Sequence, residues 1–143
     1  MSRKRREPGP SHLKEALRLL TACTGSAVDA AAAADAIGTT CARILDHIGP
    51  LVGRRAAEAL LARSVYLCKR NFDLLERVET GEAQDKVVRE LALCLRAAGP
   101  DEAMKIAISV LAMFVSMLAE FISESLALRL LREACPDPDE EQS

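Results

Sequence analysis

A chain of 143 residues, half of them hydrophobic but only 3% aromatic, is long enough for one domain with a sizeable core. Its net charge of −2 excludes a strong overall attraction to nucleic acid or to anionic membrane. The five cysteines are odd in number, widely spaced and free of any C-x-x-C pairing, which predicts reduced thiols in a cytosolic protein.

Residues 1–10 open on Arg3, Lys4, Arg5 and Arg6 and close on Pro8-Gly9-Pro10, the composition of a disordered basic tail. No apolar stretch follows, so no secretory signal is expected. Ser11 is placed to cap a first helix, in which Leu13, Ala16, Leu17 and Leu20 recur at helical spacing. Thr24-Gly25 ends that helix, and Ser26 with Asp29 opens the second in the manner of a capping box. The second helix runs through the alanines at 30–34 to His47, with a bend expected at Gly38-Thr39-Thr40. Its apolar face is Ile37, Cys41, Ile44, Leu45 and Ile48, and Gly49-Pro50 reads as its stop.

The third helix is expected over residues 54–78. Leu61, Val65, Cys68, Phe72 and Leu75 mark its inward face, and Tyr66 and Arg70 lie outward, in a row of arginines at 63, 70 and 77. Thr80-Gly81 breaks it. A fourth helix over residues 82–98 carries Glu82–Lys86 and Asp85–Arg89 pairs in the favourable acid-first order, with Val87, Leu91, Cys94 and Leu95 facing inward. Gly99-Pro100 then starts the helix around which the others are arranged.

Residues 106–119 of that last helix contain no charge and no polar face. A helix apolar around its whole circumference is sheltered by protein or by lipid. The charge-free run covers roughly 21 Å at helical rise, short of the ~30 Å hydrocarbon core, and Glu120 and Glu124 follow it, so no membrane span is expected. A single helix over residues 101–134 would be about 50 Å long, against a diameter of roughly 37 Å for a compact chain of this size. It therefore overhangs, bends near residues 120–125, or is completed by a partner. An overhanging half would carry Phe121, Leu128 and Leu131 into water, which argues for a second copy of the chain. Pro136 and Pro138 lead into an acidic tail, residues 136–143, also expected to be disordered.

The expected fold is all-α: about five helices in one bundle, residues 11–135, with a long, buried C-terminal helix. Little in the sequence suggests chemistry. His12 and His47 are the only histidines, and neither belongs to H-E-x-x-H; no phosphate-cradling glycine loop or G-x-S-x-G elbow occurs. Glu120 and Glu124 share a face but read as a polar side returning where the helix leaves the core. No catalytic group, metal or cofactor is therefore expected. The expectation is a non-enzymatic protein-interaction module that forms a homodimer, with Tyr66, Arg70, Phe121, Leu128 and Leu131 as interaction candidates. The alternative is a nucleic-acid-associated regulator using the basic tail and the third helix.

Overall fold

The computed structural model describes residues 8–24, 30–78 and 86–136. Helix α1 is Pro10–Thr24, α2 Ala30–Val52, α3 Arg54–Cys68, α4 Val87–Arg96, α5 Pro100–Ile122 and α6 Glu124–Ala134. A short 3₁₀ helix, Asp73–Arg77, lies between α3 and α4. The described residues contain no strand. The fold is an all-α bundle, as the periodicity predicts, with six α-helices among the described residues rather than five because the chain breaks between α5 and α6.

Helix α5 packs against every other helix of the bundle. Its residues Ile106, Val110, Leu111, Phe114, Val115 and Leu118 are all essentially removed from water. They span about half of the helix circumference, and Ala112 and Met113 widen the buried arc, while Lys105, Ser109 and Ser116 share the remaining, partly exposed stripe. Helices α1, α2, α3, α4 and α6 together cover the buried arc. The helix has 23 residues, or about 34 Å, longer than its charge-free centre, and its mean hydropathy reaches 2.0 over an 18-residue window. By length and composition alone it could cross a membrane; within the bundle it is the core. A void beside Phe114, bounded by Cys41, Ile44, Leu45, Leu61 and Leu111, measures about 10 Å³, too little to hold a ligand.

Several helix ends differ from the sequence expectation, each for a local reason. Helix α1 starts at Pro10, one residue before the expected cap, and the Gly9 carbonyl accepts from the backbone N–H groups of His12 and Leu13. Proline is favoured in that first turn because its missing N–H would have no helical partner there. Helix α2 runs straight through Gly49-Pro50. Glycine before proline removes the side-chain clash that normally ends a helix at such a pair, and Pro50 falls in the last turn, where little is lost. Gly49 is buried where the chain returns: a Cβ there would meet Arg54 at 3.4 Å. The real stop is Gly53, with φ of 99°, a left-handed conformation that glycine takes without strain. Arg54 then bridges the corner, its guanidinium donating to Asp46 at 2.9 Å and Glu58 at 3.3 Å.

The third helix ends at Cys68, ten residues short of the expected end at Val78. A helix carried to residue 78 would have reached about 37 Å and taken its last apolar residues beyond the core. Instead the chain turns at Lys69–Asn71, with the Asn71 N–H donating to the Cys68 carbonyl at 3.0 Å, and the 3₁₀ helix brings Leu75 and Val78 back to full burial. Arg63, Arg70 and Arg77 consequently lie on three different segments rather than in one row. The fourth helix is likewise shorter than expected. Glu82 and Asp85, Ser26 and Asp29, the basic cluster at 3–6 and the acidic cluster at 137–141 all lie outside the described residues.

The two mid-chain glycines of α2 and its corner should respond oppositely to the same change. Gly53→Ala must force a Cβ into a positive φ and is expected to cost about 1–2 kcal/mol. Gly38→Ala, inside α2 with nothing within 4 Å of the added Cβ, is expected to stabilise by about 0.5–1 kcal/mol. Urea unfolding of the two variants checks both signs.

Candidate interaction surface

Helix α6 folds back along the bundle and packs on α5 and α2. It starts at Ser123, the single residue that links it to α5. The Ser123 side chain accepts a hydrogen bond from the Leu126 N–H at 3.2 Å, an N-cap in the ordinary sense. Its backbone is not ordinary: φ is 134° and ψ 156°, a region populated almost only by glycine. Ser123 is the one non-glycine residue with positive φ among the described residues.

Three polar contacts hold α6 from outside. His12 of α1 meets Glu124 at 2.7 Å, at the first turn of α6. His47 of α2 meets Glu133 at 3.0 Å, in the last turn. The Arg18 guanidinium, itself braced by Glu15, donates to the Cys135 carbonyl at 2.8 Å just past the helix end. Both histidines of the sequence are thus spent on one helix, one near each end. A carboxylate can only accept, so in each pair the proton lies on Nε2. Beneath these contacts Ala127, Leu130 and Leu131 form the apolar underside. Because His12 meets the start of α6 and Arg18 meets its end, α1 and α6 run in the same direction.

The His12–Glu124 contact brings the start of α1 to the α5–α6 corner, and large apolar side chains are exposed at that end of the bundle. Leu13 is 40% exposed, Phe121 57% and Leu126 40%; Leu17, Leu51 and Leu93 are also exposed, further along α1 and on other elements. Of the helically spaced Leu13, Ala16, Leu17 and Leu20, the structure buries Ala16 and Leu20 together with Leu19, and leaves Leu13 and Leu17 outside. Helix α1 is apolar over too wide an arc for spacing alone to choose between those faces. An open groove of about 680 Å³ follows the outer side of α6, lined by Ser125, Leu128, Arg129, Arg132, Glu133 and Pro136.

The expected interaction residues divide. Phe121 is exposed at the corner, and Leu128 is half-buried along the outer groove of α6. Leu131 is fully buried and belongs to the core, because α6 folds back rather than overhanging. It offers a partner nothing in this form. Tyr66 is exposed on α3, and Arg70 is exposed in the turn that follows it, not on the same helix face. These two sit on elements packed chiefly against α2 and α5, away from the α6 contacts. Glu120 is exposed at the end of α5, and Glu124 pairs with His12 rather than with Arg129, which reaches Glu133 at 3.5 Å.

The thiols are set back from chemistry. Cys41, Cys68, Cys94 and Cys135 are free and buried. Burial pushes the Cys68 thiol up to about 12. Burial also raises Cys94, with Arg77 opposing and Glu102 adding to the shift. A protonated buried thiol is a poor nucleophile. The described residues hold no group of three or more His, Cys, Asp or Glu arranged to bind a metal ion. No protein-family model matches the chain, and no curated protein or solved structure matches it significantly.

The His47 hydrogen bond, helped by the nearby Arg129 and opposed by slight desolvation, holds the Glu133 carboxyl below its ordinary value of 4.5. A depressed carboxyl stabilises the fold above its unfolded-state value, and that contribution fades as pH falls through the folded-state value. Glu133→Gln should therefore lower the melting temperature at pH 7, and the difference from the native chain should shrink as the pH falls below the ordinary carboxyl value of 4.5. Leu131→Ala should cost about 2–4 kcal/mol by chemical unfolding, against a few tenths for Leu126→Ala.

Proposed function

We infer that this chain is a non-enzymatic, cytosolic protein-interaction module that associates with a second copy of itself. The observation that carries this reading is the apolar corner: Leu13 of α1 with Phe121 and Leu126 around the α5–α6 link, all substantially exposed beside the contact that His12 and Glu124 make. Scattered apolar side chains on a surface are ordinary, whereas several gathered at one end fit an interface. The closed core leaves no ligand chamber beside Phe114, so the surface is the place for binding.

A second copy supplies a matching surface, since a two-fold contact sets the same apolar side chains against each other. The second reading, a nucleic-acid-associated regulator, has the basic cluster at 3–6 in its favour, but the arginines at 63, 70 and 77 no longer form one helical row.

A dimer is expected in multi-angle light scattering. Phe121→Asp combined with Leu126→Asp should weaken it at least about tenfold while leaving the helical circular-dichroism signal intact. A strict monomer across the accessible concentration range overturns the reading.

A further inference from the structure

We propose that α6 is an exchangeable element: in the dimer, each copy lends its α6 to the other, and Ser123 is the hinge. This rests on the self-association reading above and specifies how it occurs. The two copies would trade identical helices rather than meet as closed bundles.

Four observations on different levels point the same way. The first is sequence. Between Pro100 and Pro136 there is neither glycine nor proline, so nothing local breaks a helix at residues 120–125. The chain's intrinsic preference is one continuous helix through Ser123. The second is conformation. The closed form bends at a single residue, and that residue is a serine at φ 134° and ψ 156°, where a Cβ is strained. Straightening α5 into α6 returns Ser123 to helical angles and relieves that strain. Short links under strain favour exchange for this reason.

The third observation is the interface that α6 already makes. Ala127, Leu130 and Leu131 below, with Glu124 to His12, Glu133 to His47 and the Cys135 carbonyl to Arg18 at the edges, all join α6 to segments other than its own linker. Each of these contacts re-forms unchanged when α6 comes from another copy. Exchange therefore loses none of them. The fourth is what the straight helix adds. Phe121 and Leu128 are seven residues apart and would fall on one stripe where the two extended helices cross, with Phe121 moving from water into a contact. Phe121, exposed at the corner in the closed form, thus becomes part of the new contact between copies.

Two substitutions at one position separate exchange from simple surface contact. Ser123→Gly suits the positive φ of the closed bend and disfavours the continuous helix. Ser123→Ala removes the cap that steadies the bend and favours the helix. The dimer dissociation constant is expected to be at least about tenfold lower for Ser123→Ala than for Ser123→Gly. A cross-link then reports which copy supplies α6. In a Cys23→Ser background, His47→Cys with Glu133→Cys is treated with a short bis-maleimide and run under denaturing conditions. Exchange gives a covalent dimer, because residues 47 and 133 that face each other come from different copies. A dimer in solution whose cross-link stays within one chain, with equal constants for the two Ser123 variants, overturns the exchange and leaves surface association standing. A monomer for the native chain and both variants overturns both.

Discussion

The whole bundle depends on sheltering α5. Its apolar side chains cover most of its circumference and leave a narrow stripe of Lys105, Ser109 and Ser116 toward water, so each neighbour is held in place by the same requirement. Amphipathic helices answer it together: α1 with Leu19 and Leu20, α2 with Ile44 and Ile48, α3 with Leu61 and Val65, α6 with Leu130 and Leu131. Close packing of this kind penalises any gap, which is why the space beside Phe114 is reduced to a void smaller than a ligand. It also explains why the chain interrupts its own helices. Breaks at Gly53, after Cys68 and at Ser123 keep elements short enough to stay within the span of the core.

These breaks differ in how they are made. At Gly53 the residue suits its backbone, and Arg54 adds two carboxylate contacts across the corner. At residues 69–72 a turn with ordinary dihedrals does the work. Only at Ser123 does the backbone adopt a conformation its side chain resists. The polar contacts of His12, Arg18 and His47 gather around the helix that this strained residue releases. Covering α5 requires α6 to fold back, and the cost of the bend is met by contacts made elsewhere on α6. Helix α6 is thus attached by an apolar underside, a few edge contacts and one strained residue. It also borders the exposed apolar corner, so the elements that complete the core and those that offer a binding surface are neighbours.

Much of this was legible in the residues. The all-α class, the positions of most helices and the burial of most of residues 106–118 follow from composition and the 3.6-residue period, because burial of an apolar face is a local property of spacing. The bend between residues 120 and 125 was foreseen only as one of three ways to accommodate a helix longer than the domain. Which way won decided the fate of Leu131, an interface candidate on an overhanging helix and a core residue on a folded one. The direction of α1 was beyond reach, since Leu13, Ala16, Leu17, Leu19 and Leu20 cover too wide an arc for spacing to choose a face. The pairing of both histidines with α6 carried no signal either, because His12 and Glu124 are 112 residues apart.

What the amino-acid order determined by itself is therefore the kind of object: helices, their apolar faces, and a central segment that must be enclosed. These depend on periodicities of a few residues and on side-chain chemistry. What only the tertiary structure decided is where helices stop against their own propensity, which apolar residues remain outside, and which distant polar groups meet. Those outcomes depend on competition among elements for one small core, and a chain's local preferences are overruled wherever enclosing α5 demands it.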